Sequence, residues 1–286
     1  MAITEENYTT RMHKLSKGEY FGNHYHKNQF NDLLITDTVY THAKVDWHYH
    51  ENAYFTYLLE GKLFEENKKE SYHLERGGLL FHNWQDAHHN IKPPEYTRGF
   101  HIEITNKWFD LYQIKSFDFE GSIHLKNPLI REKINTIFFE SKIKDTNTQL
   151  TIDMLLVDVF NTIKSDDQHS QNKTPTWVKT LKDILHSTPN RNTSLSSLAV
   201  LLNIHPVHLS REFPKYFKTT IGHYIRTQRI NKALLLIAEN KLTMTEICYD
   251  CGFYDQSHFT TSLKRVYKQT PLKISKKIGN VNLLQF

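Results

Sequence analysis

The sequence predicts an α+β protein in two parts: a β-rich N-terminal part that ends in helices, and an all-α C-terminal part. Three observations carry this. Residues 30–105 hold short runs rich in β-branched and aromatic residues, divided by turn signals at Glu60-Gly61, Gly77-Gly78 and Pro93-Pro94. From about residue 106 the apolar period lengthens to that of helices. From Ser194 one helical unit occurs twice.

Bulk properties narrow the class. A chain of 286 residues has room for two cores, and 38% hydrophobic with 23% charged residues lies in the globular range. The opening MAITEENYTTRMHK carries acids and no apolar run, which argues against a secretory signal. The longest aliphatic run, LLLIA at 234–238, is too short to cross a bilayer. Cys248 and Cys251 are the only cysteines, so there is no disulfide framework. A soluble, cytoplasmic protein with no membrane partner is expected. Charge divides unevenly: from residue 174 onward there are 16 Lys+Arg against 6 Asp+Glu, and before it 20 against 25. Only the C-terminal part is built to meet a polyanion. Histidine is skewed the other way, with 13 of 18 before residue 174.

The strands are placed first by LLITDTVY and AYFTYLLEGKLFEE, whose composition suits a pleated, half-buried surface. NKWFDLYQI, NPLIREKINTIFFESKI and TQLTIDMLLVDVFNTIKS then read as three helices. KSDDQHSQNKTP is polar and has no aliphatic residue, the composition of a linker. The expected organisation is a first domain over 1–165, a linker over 166–175 and a second domain over 176–286.

In the C-terminal part SLSSLAVLLNIHPVHLSREFPKYFKTT is echoed by TMTEICYDCGFYDQSHFTTSLKRVYKQT. Leu198, Ala199 and Ile204 match Ile247, Cys248 and Phe253; after one inserted residue Leu209, Phe213 and Phe217 match Phe259, Leu263 and Tyr267. Each copy opens on a hydroxyl N-cap; Thr243 has Glu246 for a capping box, whereas Ser194 lacks a Glu partner. A short helix, a tight turn and a second helix with a polar outer face describe a helix-turn-helix. Between the copies IGHYIRTQRINKALLLIAEN reads as one helix of about 30 Å, close to the ~34 Å between major-groove faces on one side of a duplex.

Residues 176–277 resemble the DNA-binding domain of AraC/XylS-type transcriptional regulators, through SLSSLA, HLSREF, IRTQRINKA and TEICYDCGFYDQSHFTTSLKRVYKQTP. The resemblance implies sequence-specific promoter binding, usually as an activator that recruits RNA polymerase. By position the base-facing residues are Val207, His208, Ser210 and Arg211, then Gln256, Ser257, His258, Thr261 and Lys264. Three departures stand out. Lys218 and Lys268 replace the usual glycines, Cys248 replaces a small residue, and Pro214 falls inside the first recognition helix, where a kink or stop near Phe213 is expected.

WHYHENAYFTYLLEG and GLLFHNWQDAHH resemble the two motifs of cupin β-barrels. The implied fold is thus a cupin-like barrel followed by helices, then an all-α domain with two helix-turn-helix motifs joined by a long helix. His48, His50 and His89 fit the metal-ligand pattern, with Tyr54 where the acid belongs. No cofactor is expected, but three imidazoles offer a transition-metal site. In AraC-type regulators the barrel serves as a small-molecule effector pocket. His48, His50, Tyr54, Tyr57, Phe64, Phe81, Trp84 and His89 are its candidates, though such rings also fill barrel cores. Apolar stripes on the second and third helices (Ile130, Ile134, Ile137, Phe138; Leu150, Met154, Leu155, Phe160) suit a homodimer or a barrel seal. The rival reading is a metal-dependent cupin enzyme or metal sensor fused to a DNA-binding domain.

Overall fold

The computed structural model describes residues 12–83, 86–93, 96–119, 121–143, 146–171, 175–187 and 194–279. It divides into two compact units, Met1–His124 and Leu125–Phe286.

The first unit is built from β1 (His13–Leu15), β2 (Gly22–Phe30), β3 (Leu33–Tyr40), β4 (Lys44–His50), β5 (Ala53–Glu60), β6 (Lys62–Asn67), β7 (Ser71–Glu75), β8 (Leu79–His82), β9 (His88–Ile91), β10 (Arg98–Ile104) and β11 (Ser122–His124), with α1 (Asn106–Leu111) before the last strand. Two sheets form, in the orders β1-β4-β9-β6-β7 and β11-β8-β5-β10-β3-β2. Among the described residues they do not close into one hydrogen-bonded ring, so the expected barrel is a two-sheet arrangement. β3 and β5 fall where their β-branched and aromatic runs predict. The centre of the six-stranded sheet is buried on both faces, with every residue of β10 and β8 buried, while the edge strand β2 exposes alternate residues. Inside it Arg98 grips Asp37 through two hydrogen bonds of 2.7 Å, joining β10 to β3 by a planar, charge-assisted fork. Gly61 makes the β5–β6 turn at φ 83°, and a Cβ there would sit 2.6 Å from the Thr97 hydroxyl.

The second unit contains α2 (Pro128–Ile143), α3 (Thr148–Gln171), α4 (Thr176–Ser187), α5 (Leu195–Leu201), α6 (Pro206–Phe217), α7 (Ile221–Glu239), α8 (Met244–Asp250), α9 (Gln256–Tyr267) and α10 (Pro271–Gly279). The domain boundaries therefore differ from expectation. α3 runs through much of the stretch read as a linker, because Asp, Gln, Ser and His tolerate a helix that is already nucleated by the apolar turns before them. α2 and α3 also group with the C-terminal helices, and Ile130, Ile134, Ile137 and Phe138 are buried there. Asn135 donates to Asn231 at 2.9 Å and Asn231 to the Pro128 carbonyl at 2.9 Å, tying α2 to α7 through buried amides.

The repeat is exact in its backbone logic. α5 and α8 both begin with capping boxes, and Ser197 fills the role expected to be vacant beside Ser194. Both end in Schellman motifs. Ile204 N–H bonds to Ala199 O (3.0 Å) and Asn203 N–H to Val200 O (3.1 Å); Phe253 bonds to Cys248 (3.1 Å) and Gly252 to Tyr249 (2.9 Å). Asn203 (φ 52°) and Gly252 (φ 74°) take the same left-handed position. α6 passes through Pro214 and ends at Phe217, correcting the expected stop near Phe213; Leu209, Phe213 and Phe217 hold it to α4, α5 and α7 through one core cluster. Cys248 and Cys251 are reduced and fully buried, where they pack as small hydrophobes.

α6 and α9 close on left-handed lysines, Lys218 (φ 56°) and Lys268 (φ 54°). A Cβ is disfavoured in that conformation and glycine is not. Lys268→Gly is expected to raise stability by about 0.5–1 kcal/mol, seen as a higher urea midpoint.

Candidate functional site

Successive strand residues face opposite ways, and this alternation sorts the N-terminal candidates. His48 and His50 on β4, Tyr54 and Thr56 on β5, Glu65 on β6, and His88 and Asn90 on β9 line one enclosed space, with Tyr20, Tyr40, Lys92 and His101. His82 of β8 joins them, stacked on Tyr54 at 4.4 Å and on His88 at 5.0 Å between ring centroids. Four expected members are placed elsewhere. His89 turns outward, its Nε2 3.3 Å from Glu66 and its ring against Trp47. Phe64 is 37% exposed and packs on His73. Phe81 is buried behind the sheet against Phe55 and Phe119, and Tyr57 shares the parity of Phe55. Trp84 lies outside the described residues.

The imidazole that replaces His89 is its neighbour His88, because the β4–β9 register sets His88 opposite His48. Glu65, His82 and His101 were not anticipated. The signal for Glu65 is present in KLFEEN, where an inward Leu63 forces Glu65 inward too.

Hydrogen bonds set the tautomers. His48 Nδ1 lies 2.8 Å from the Asp46 carbonyl and His88 Nδ1 2.8 Å from the Asp86 carbonyl. A carbonyl only accepts, so each Nδ1 carries the proton and each Nε2 keeps its lone pair. Ser122 donates its hydroxyl to Asp86 and accepts from His82 Nδ1 at 3.0 Å, which puts His82 in the same state. His82 Nε2 and Glu65 Oε1 are buried and have no hydrogen-bond partner. Tyr54 donates to His88 Nε2 at 3.1 Å. Ligand atoms of His48, His50 and His88 lie within 4.8 Å of one another, as do those of Glu65, His82 and His88.

Burial holds His50 and His82 well below the usual imidazole range and lowers His48 to about 3, with repulsion from His88 second in each case. Burial raises the Glu65 carboxyl and pushes Lys92 down to about 8, against the pull of Glu65. The enclosed space is ≈ 20 Å³. That admits about one water or one ion, whereas organic ligands need roughly 300 Å³ or more.

The second candidate surface lies on α6 and α9. Val207, His208, Ser210 and Arg211 are exposed, with Leu209 and Phe213 buried beneath them. Gln256, Ser257, His258, Thr261 and Lys264 are exposed over buried Phe259, Ser262 and Leu263. Asp255 caps α9 by accepting from His258 N–H at 2.7 Å, and Gln256 donates to Thr245 at 2.6 Å. Arg211 rests 3.3 Å from Glu212, which also takes Lys215. All nine residues named from the sequence thus lie on open helix faces. α7, which joins the two helix pairs, is 19 residues and about 28 Å long.

His101 offers a test of the interior. Its Nδ1 meets Thr36 at 3.1 Å and its Nε2 meets Tyr40 at 2.7 Å, and burial lowers it to about 3, with His24 adding repulsion. The unfolded chain binds a proton at about 6.5 and the folded one does not. Stability from this group is complete above about pH 6.5 and falls toward pH 3, by about 1.4 kcal/mol per pH unit. Urea unfolding between pH 7 and 5 should show a steeper slope in the parent than in His101→Gln.

Residues 198–277 match the family model described as a helix-turn-helix domain. The Msm operon regulatory protein of Streptococcus mutans is 28% identical over 113 residues, which are 40% of this chain and 41% of that protein. The HTH-type transcriptional activator RhaR of an Enterobacter species is 24% identical over 148 residues, 50% of this chain and 52% of that one. The chain therefore spans about half or less of these relatives' length. ToxT of Vibrio cholerae aligns over 85% of this chain and 98% of its own at 15% identity and a TM-score of 0.34, a likeness too slight to argue from. The capped helix pairs, their exposed polar faces and the matched segment agree: the C-terminal part of this chain is an AraC-type helix-turn-helix domain.

Proposed function

We propose that this chain is a sequence-specific, DNA-binding transcriptional regulator, acting as an activator, whose N-terminal unit holds the ligand that sets its activity. The observation that carries the reading is the matched pair of exposed polar faces on α6 and α9, each pinned by buried aromatic and aliphatic anchors. Base edges in the major groove require hydrogen-bonding side chains, and phosphates require cations; both faces supply the two kinds. In this reading the helix pairs are two helix-turn-helix units that α7 spaces for adjacent turns of promoter DNA, where the regulator engages RNA polymerase. Exposed Leu150 and Met154 on α3 (60% and 64%) are the surface through which two copies pair. Ligand binding shifts the population of DNA-competent molecules by its differential affinity for the two states. No helix among the described residues is long and apolar enough to cross a membrane, which is compatible with a cytoplasmic regulator.

The rival reading, a metal-dependent cupin enzyme or a metal sensor joined to a DNA-binding domain, draws on the interior imidazoles of His48, His50 and His88. For the enzyme, the space among these imidazoles, ≈ 20 Å³, leaves no room for an organic substrate beside them.

The test is selection of a DNA site from a random pool, followed by fluorescence anisotropy. Arg211→Ala and Lys264→Ala should each weaken binding to the selected site by about 1–3 kcal/mol, roughly 5- to 150-fold. Failure to select any sequence would end the regulator reading, and two unchanged variants would end the residue assignment.

A further inference from the structure

Among the described residues of the second unit, Asn203, Lys218, Asn240, Gly252 and Lys268 hold a positive φ. Where only a turn is needed the chain places Asn or Gly, the residues that tolerate this conformation: Asn203 and Gly252 inside the helix pairs, Asn240 after α7. Lysine takes the position twice, at φ 56° and 54°, directly after α6 and directly after α9. Lysine has no means of easing that backbone, and glycine would hold it more stably. A local rule broken in the same way in both copies of a repeat implies a gain elsewhere.

Position supplies the gain. On α9 the exposed Ser257, Thr261 and Lys264 follow one another at intervals of four and three, and exposed Lys268 continues the series at four. On α6 the exposed Val207, Arg211 and Lys215 run at intervals of four, and exposed Lys218 continues at three. Each lysine therefore ends the stripe that carries the base-facing residues. The N-terminal residues of a recognition helix meet base edges, and its C-terminal end meets the sugar–phosphate backbone. The helix dipole does not account for these lysines, because Lys215 in α6 and Lys264 with Arg265 in α9 already place cations in the last turns. The Lys268 ammonium donates to the Arg265 carbonyl at 3.2 Å; an ammonium has three protons, so this bond leaves donors for a phosphate.

We infer that Lys218 and Lys268 are a matched pair of phosphate contacts, one for each helix pair, that hold the DNA backbone beside the two recognition faces and fix their register without reading sequence. The inference rests on the DNA-binding reading above and adds how the two faces are held in place. A compact ammonium on a flexible stem serves a phosphate as a point charge, with no demand on the identity of the bases beside it. Each such contact releases counterions from the duplex and so shows itself in the salt dependence of binding. The same two lysines lower the stability of the fold and raise its affinity, so replacing them moves stability and binding in opposite directions.

The experiment uses the full chain and fluorescence anisotropy on two duplexes, the selected site and a random sequence of equal length, over a series of KCl concentrations. Asparagine keeps tolerance of the left-handed backbone and removes the charge, whereas arginine keeps the charge. Lys218→Asn and Lys268→Asn should each flatten the slope of log affinity against log salt by about 0.9, and the double variant by about twice that. Near 0.1 M salt each should weaken both duplexes by the same factor, roughly fivefold to tenfold, so that preference for the selected site is unchanged. Urea midpoints no lower than the parent's check that the fold is intact. Lys218→Arg and Lys268→Arg should keep the parent slope, as should Lys69→Asn, which removes the same charge from the turn between β6 and β7. An unchanged slope in either Asn variant would overturn the matched pair. Arg variants that lose as much as the Asn variants would show that charge is not the cause, and an altered site preference would make the lysines base readers; either result also overturns it. A chain that selects no site, yet binds the random duplex with slopes that fall in the Asn variants, keeps the phosphate contacts and removes the sequence-specific regulator. A chain that binds no duplex overturns both.

Discussion

Polar groups enclosed away from water must find partners among themselves, and that requirement organises the whole N-terminal unit. Desolvating an unpaired polar group costs a few kcal/mol, which is large beside the net stability of a domain. The interior here is nonetheless crowded with imidazoles, phenols, a carboxylate and an amine. Most are satisfied by devices that can be named: Arg98 on Asp37, His101 between Thr36 and Tyr40, His48 and His88 on carbonyls. These fix ring orientations and tautomers as well as contributing stability. Around this space Tyr20 Oη, Glu65 Oε1 and His82 Nε2 are left without a hydrogen-bond partner.

The C-terminal unit solves a different problem. Its short helices, α5 and α8 of seven residues each, are below the length at which an isolated helix holds together. Capping boxes at one end and Schellman turns at the other satisfy the terminal backbone groups, and the apolar anchors of α6 and α9 supply the burial. With stability secured from beneath, the outer faces of α6 and α9 are free of folding duty. Function is separated from folding by helix face.

The two units differ accordingly in how they can respond. A pair of capped helix units offers a fixed surface, whereas a buried polar cluster can change charge state and packing when a ligand arrives. Coupling between them requires only that the ligand favour one of two conformations of the chain. The grouping of α2 and α3 with the C-terminal helices gives that unit a larger body than the sequence suggested. The buried amide tie of Asn135 and Asn231 makes α2 part of the foundation under α7.

The helical half was legible in the sequence because its information is local. Caps, turn residues and the spacing of Leu209, Phe213, Phe259 and Leu263 lie within a few residues of the structure they specify, so the paired units and their outward faces could be read directly. The strands LLITDTVY and AYFTYLLE were legible for the same reason. Which side chains meet inside the sheets was decided by tertiary structure. A one-residue change of parity exchanges His88 for His89 and turns Phe64 away, and only the pairing of β9 with β4 and β6 settles that parity. Glu65 and His82 come from strands far apart in sequence and acquire meaning only once both sheets enclose them. The unit boundary, too, was out of local reach: a polar stretch within α3 has a linker's composition, and only continuity with the packed helix before it makes it helical.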